Sequence, residues 1–167
     1  MLLGVISDTH DHKDNILKAV SLMNERGVKA LIHCGDFIAP FVRRWFDNLN
    51  DEIKENFYGT FGNNDGELLF LEKNLGQICE LQNELIIELD GKRIYTGHMP
   101  KQETIEALAA SGKFDIVLSG HTHEIVNEIK DNGVLVVNPG EACGYLSGTA
   151  SFAIIDTDQM QAEIIEL

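Results

Sequence analysis

Short apolar runs of strand length punctuate the chain at residues 2–6, 30–32, 57–61, 85–89, 93–96, 116–118, 134–137 and 152–155. Runs this brief, bounded by Gly, Asp and Asn, read as strands. Between the early ones the apolar positions switch to helical period. Ile16, Val20 and Met23 share one face, and Gly27 stands where a helix would stop in a left-handed turn. Phe41, Trp45 and Leu49 form a second stripe, and Ile105, Leu108 and Ala109, ahead of Gly112, a third. The stripes are read as core packing. Asp90-Gly91 between two runs signals a hairpin turn. Strand–helix alternation early and hairpins late predict an α/β protein, with a mixed sheet or two stacked sheets flanked by helices.

With 167 residues, 44% of them hydrophobic, the chain suits one domain over 1–167. Its longest apolar runs fall far short of the roughly 20 residues of a membrane helix. The opening MLLGVISDTH turns polar by residue 8 and reads as a first strand, not a secretory signal. Thirteen Lys and Arg against 27 Asp and Glu give a net charge of −14. Such a surface repels polyphosphate, which argues against non-specific nucleic-acid binding and anionic membranes, and it is compatible with capture of cations. Cys34, Cys79 and Cys143 show no CxxC spacing, so neither a disulfide framework nor a zinc ribbon is expected. Reduced thiols in a cytoplasmic protein fit better.

Candidate chemistry lies where the strands end. Five apolar runs lead into Ser7-Asp8-Thr9-His10, His33-Cys34-Gly35-Asp36, Gly62-Asn63-Asn64-Asp65, Gly97-His98 and Gly120-His121-Thr122-His123. In open α/β sheets the carboxyl ends of strands line the ligand crevice, so the five clusters are expected on one rim. Adjacent glycines would let the backbone approach closely. Alone, each Asp suits a helix cap and each His a packed polar residue. Together, carboxylates gathered without a cation would repel. Mixed Asp, Asn and His donors without thiolate suit Mn²⁺, Fe²⁺, Zn²⁺ or Ni²⁺. Asp8, His10, Asp36, Asn63, His98, His121 and His123 are too many ligands for one ion. Two ions about 3.5–4 Å apart, sharing a carboxylate, would use all seven, acidify a water and clamp a phosphoryl group.

The ordered blocks Asp8-x-His10, Gly35-Asp36, Gly62-Asn63-x-Asp65, His98 and Gly120-His121-x-His123 resemble the signature of calcineurin-like metallophosphoesterases. The small size and Asn138-Pro139-Gly140 resemble the compact prokaryotic phosphodiesterase subgroup. The resemblance implies a two-sheet sandwich flanked by helices. It assigns Asp8, His10 and His123 to one ion, Asn63, His98 and His121 to the other, and Asp36 to both. It carries over Asp65 as a residue that orients its neighbours, and Asn64 as the catalytic-position residue. There many family members have a His that contacts phosphate and can protonate the leaving group. His98 is followed by Met99-Pro100 where the subgroup often reads His-Gly-His, which touches substrate preference more than metal binding.

The expected function is a phosphodiesterase acting on a small phosphodiester with two divalent ions, Mn²⁺ first and Ni²⁺, Fe²⁺, Zn²⁺ or Mg²⁺ as alternatives. A phosphomonoesterase is the alternative enzyme, and a non-catalytic scaffold resembling a retromer subunit the alternative class. Scaffold descendants tend to lose ligand histidines, whereas all seven positions are intact here. A homodimer is left open. His12 is read as a loop residue near the substrate or a solvent-facing one, His33 as packed and hydrogen-bonded, and Cys34 and Cys143 as inert. Asn138-Pro139-Gly140 is read as a site border or a tight turn, and Arg93 and Lys101 as solvated charges.

Overall fold

The computed structural model describes residues 1–167. In chain order the elements are β1 (Leu2–Ile6), α1 (Lys13–Arg26), β2 (Ala30–His33), a 3-10 turn (Pro40–Val42), α2 (Arg43–Phe46), α3 (Asp51–Glu55), β3 (Phe57–Thr60), α4 (Leu68–Leu75) and β4 (Glu80–Gln82). Then follow β5 (Glu84–Leu89), β6 (Lys92–Gly97), α5 (Gln102–Ala110), β7 (Ile116–Leu118), β8 (Ile125–Ile129), β9 (Leu135–Pro139), β10 (Ser151–Asp156) and β11 (Gln161–Glu166). One sheet runs β11-β10-β1-β2-β3-β4 and the other β5-β6-β7-β9-β8. Strands β1 to β4 are parallel to one another, as are β6, β7 and β9; β5, β8, β10 and β11 pair antiparallel.

Alternation along the strands explains the layering. Leu3, Val5, Ala30 and Ile32 pack between the sheets against Ile94, Ile116, Leu118 and Val137. Their neighbours Ile6 and Leu31 face the other way, into a core shared with Ile16, Met23, Phe46 and Leu71 of the helices. Tyr95, Val117 and Val136 pack against Ala109 of α5 and Phe114. The central strands are thus apolar on both faces because both faces are covered. The result is four layers, helix–sheet–sheet–helix. No helix is long and apolar enough to cross a membrane.

Helix α1 ends as the sequence predicts: Gly27 is left-handed (φ 71°) and its N–H reaches the Asn24 carbonyl at 3.2 Å. Asp90 (φ 52°) and Gly91 (φ 70°) make the β5–β6 hairpin turn, with the positive φ pair that a tight two-residue turn needs. The second stripe needs correction. Phe41 is 58% exposed and Trp45 only half-buried, while Val42, Phe46 and Leu49 fill the core. The segment is a 3-10 turn started by Pro40 and then one turn of α-helix. The tighter winding changes which residues share a face. Phe41 and Trp45 pack edge to face on each other outside it.

Candidate metal centre

Five parallel strands bring the five clusters to one rim. Asp8 and His10 follow β1, Asp36 follows β2, and Asn63 follows β3; His98 follows β6, and His121 and His123 follow β7. Backbone hydrogen bonds stitch the loops together: Asp8 N–H to Gly35 O (3.0 Å), His10 N–H to Asp36 O (3.1 Å) and Gly120 N–H to His98 O (3.0 Å). Two further contacts cross between the sheets. His121 N–H donates to Asp8 Oδ2 at 3.0 Å, and His98 Nδ1 donates to Cys34 O at 2.7 Å.

Close approach requires glycine. A Cβ on Gly35 would lie 2.5 Å from the His98 ring, and one on Gly120 would lie 2.0 Å from Ser7 Oγ. Five of the seven predicted ligands have left-handed backbone: Asp8 (φ 51°), His10 (40°), Asp36 (59°), His121 (68°) and His123 (61°). Asp and His tolerate this region better than most residues, yet such backbone costs of order 1–3 kcal/mol per residue and clusters at functional sites.

Asp36 Oδ2 is the centre of the arrangement, 3.4 Å from His10 Nε2 on one side and 3.4 Å from His98 Nε2 on the other. Burial opposes its charge, but hydrogen bonds from His98 in its protonated form and from the backbone N–H and side-chain amide of Asn64 hold the carboxyl well below the usual carboxylate range. On the His10 side, His123 Nε2 lies 3.2 Å from Asp8 Oδ1, and the His10 and His123 rings are 5.4 Å apart. On the other side, His98 Nε2 is 3.0 Å from Asn63 Oδ1, and the His98 and His121 rings are 5.2 Å apart. The structure therefore gathers all seven predicted residues.

Donor chemistry tests whether a cation suits this place. Asp8 Oδ1 and His10 Nε2 are buried with no hydrogen-bond partner. Burial pushes the Asp8 carboxyl up, against a hydrogen bond from Ser7. His98 gives its Nδ1 proton to a carbonyl, so when neutral it aims the Nε2 lone pair at the Asp36 and Asn63 oxygens. Burial works against charge on His98, but Asp36 and Asp8 outweigh it and its pKa is raised. Buried acceptors facing one another are satisfied by a divalent cation of the oxygen- and imidazole-binding kind. Cys143 also lies within 4.8 Å of the ring nitrogens of His10 and His123. Its thiol donates to Glu141, and burial together with that carboxylate pushes it up to about 12. It stays protonated and is a poor ligand.

The residues around the candidate ligands hold them still. Asp65 accepts N–H bonds from Ile38 and Gly62, both at 2.7 Å, tying the loop after β3 to the loop after β2; burial raises its pKa. His33 stacks on Phe37 at 3.5 Å, accepts from Gly35 N–H and contacts Thr9 Oγ1 at 3.1 Å. Burial, with charged His98 nearby, lowers its pKa well below the usual value. Cys34 is buried and pushed up to about 12 by that burial. His12 caps α1 through Nδ1, which accepts from Asn15 N–H, and its ring lies 5.6 Å from Tyr145. Asn138 donates to Gly120 O at 2.9 Å and so braces the loop of His121.

Sequence reasoning missed Glu141. It is fully buried and accepts from His123 Nδ1 (2.7 Å), Cys143 Sγ (3.0 Å) and the N–H groups of Tyr145, Leu146 and Ser147. Burial opposes its charge, but these donors, Cys143 foremost, hold its pKa at about 2. The bond to Nδ1 fixes the His123 tautomer with Nε2 facing Asp8. The signal was present: the run 134–137 ends in Asn138-Pro139-Gly140-Glu141, a sixth strand end with a glycine beside an acidic residue.

A family model for the calcineurin-like phosphoesterase superfamily domain matches residues 1–160. A phosphodiesterase of Methanocaldococcus jannaschii is 42% identical over 170 residues, covering 100% of this chain and 99% of that protein. The solved structure of an archaeal phosphodiesterase superposes with a TM-score of 0.92 at 42% identity, over 100% of both chains. Yfce, a phosphoesterase from E. coli, shares the fold at 19% identity and a TM-score of 0.69, covering 99% of this chain and 98% of its own.

Proposed function

The chain belongs to the calcineurin-like phosphoesterase superfamily, and from that membership we propose how it works as a metal-dependent phosphodiesterase: two divalent cations share Asp36, and the substrate is a small phosphodiester. The observation that carries the dinuclear reading is the single oxygen, Asp36 Oδ2, set 3.4 Å from an imidazole nitrogen of each histidine group. Asp8, His10 and His123 would hold one cation; Asn63, His98 and His121 would hold the other. The mixed oxygen and imidazole set favours Mn²⁺, with Ni²⁺, Fe²⁺, Zn²⁺ and Mg²⁺ as the alternatives. When bound, such a pair supplies positive charge to the phosphoryl oxygens and lowers the pKa of water.

The chain's own residues do the rest. Glu141 and Cys34 O orient the imidazoles of His123 and His98, and His121 N–H with Ser7 orients Asp8. Asn64 uses one amide proton on Asp36 Oδ2 (2.8 Å) and has a second to offer a phosphoryl or leaving oxygen. Asp65 keeps Asn63 and Asn64 in place by tying their loop down. A cytoplasmic location completes the reading, supported by three buried cysteines that remain free thiols.

The test is hydrolysis of bis-p-nitrophenyl phosphate against the p-nitrophenyl monoester, after chelation and after return of each metal. Metal-restored cleavage that favours the diester is expected, and a preference for the monoester would make the protein a phosphomonoesterase. Elemental analysis should give two ions per chain, lost together in Asp36→Ala and singly weakened in His123→Ala. One ion in fully active protein would sink the dinuclear reading.

A further inference from the structure

A cleft of about 540 Å³ opens against the Asn63 and His98 half of the centre. That volume lies within the roughly 300–1,000 Å³ of small-molecule sites. Its other walls include Phe61 and the half-exposed Met99, which offer apolar contact, and Gln82 and Asn83, which offer neutral hydrogen bonds. Its charged side chain, apart from any charge on His98, is Glu84, and no lysine or arginine lines it. Glu84 is an exposed carboxylate, but a tethered one. It opens β5 directly opposite Gly97, the residue before His98, and Tyr95 donates to its Oε1 at 2.9 Å. Burial and the neighbouring carboxylate push the Tyr95 hydroxyl up, so it remains a donor. A phosphodiester differs from a monoester in having a second organic arm, and that arm needs a place next to the centre that holds its phosphorus.

We propose that this cleft seats one ester arm of the substrate, and that Glu84, held by Tyr95, restricts that arm to an uncharged or cationic group and turns anionic arms away. The inference rests on the phosphodiesterase reading and adds its substrate class. The apolar and amide walls would take an aromatic or heterocyclic arm with neutral hydrogen-bonding groups. A second phosphate or a carboxylate on that arm would meet Glu84 with no cation on the walls to offset it.

The test uses metal-loaded protein and symmetrical diesters, bis-p-nitrophenyl phosphate and two derivatives that carry on each ring either a carboxylate or, at the same position, a carboxamide. Because both arms are alike, whichever enters the cleft meets Glu84. The carboxamide ester should exceed the carboxylate ester in kcat/KM by about tenfold, the scale of one like-charge contact in partly screened surroundings. In Glu84→Gln that ratio should fall several-fold. In Glu88→Gln, which removes a charge from the same strand outside the cleft, it should stay at the wild-type value. Calorimetric Kd values for the corresponding slow dibenzyl phosphates should show the same ratio without turnover. A ratio near one in the wild type, or one equal in wild type and Glu84→Gln, overturns the inference while leaving the phosphodiesterase standing. Failure to cleave any diester overturns both.

Discussion

Asp36 must stay a carboxylate where burial disfavours charge, and Asn64 is one of the groups that lets it. That engagement limits what Asn64 can do in the reaction. An amide stabilises a departing oxygen with a neutral hydrogen bond but transfers no proton, whereas general acid catalysis is worth roughly 10²–10⁴ in rate. Rates for diesters graded by leaving-group pKa should therefore fall steeply as that pKa rises, and Asn64→His should flatten the slope. A shallow wild-type slope would assign protonation to another group. Glu141 acts one step further out, through His123. In Glu141→Gln the side chain keeps its size, but an NH₂ must then face N–H groups that now donate to oxygen. Loss of a carboxylate behind a ligating histidine typically weakens metal binding about 10–100-fold. Calorimetric titration with Mn²⁺ reads this directly, and an unchanged Kd would show that His123 is oriented without Glu141.

Secondary structure serves the site mainly by where each strand stops, and glycines mark those stops for two separate reasons. Gly27 ends α1 with φ 71° and open space around it, so Gly27→Ala adds only backbone strain, roughly 1–2 kcal/mol. An alanine at Gly120 would put its Cβ 2.0 Å from Ser7 Oγ and 2.9 Å from both Asp8 Oδ2 and Cys34 O. Gly120→Ala should cost about 1–3 kcal/mol in urea unfolding and also weaken Mn²⁺ binding, because Asp8 must move; Gly27→Ala should leave metal affinity alone. Equal metal affinity in the two variants would refute the crowding argument. The same distinction explains what the sequence reveals. Strands buried on both faces, such as 2–6 and 116–118, read as apolar runs and are legible together with the candidate ligand blocks at their ends. The edge strands β4, β8 and β11 interrupt their apolar residues with polar or charged ones, so no apolar run of strand length announced them. Helix α4 directly follows the Asn63 loop, and exposed Leu69 and Phe70 blur the Leu71 and Leu75 face that it buries. Glu141 escaped although its strand-end position beside Gly140 matches the other blocks, because its role depends on residues 145–147 folding back over it.

At the scale of the whole molecule, the candidate centre is a junction between the two sheets. One sheet supplies Asp8, His10, Asp36 and Asn63, and the other supplies His98, His121 and His123. Below the rim the sheets are held by the apolar layer of Leu3, Val5, Ile32, Ile116 and Val137. At the rim the contact is polar, with unpartnered Asp8 Oδ1 and His10 Nε2 and a chain of net charge −14 around them. A cation held by both sheets would convert repulsion at this edge into a cross-link, and it binds the folded state because only folding assembles the ligands. Mass action then stabilises the fold by about 2.7 kcal/mol at a hundredfold excess of ion over Kd. For a chain of this size each kcal/mol is worth roughly 2–4 °C in Tm, so Mn²⁺ should raise the melting temperature by about 5–11 °C over chelated protein. The rise should be lost in Asp36→Ala, whose candidate ligand set is broken, and retained in Glu88→Gln, which removes one negative charge equally but lies away from the centre. An equal rise in both variants would trace the effect to general screening of acidic charge, and no rise in the wild type would remove the cross-link altogether.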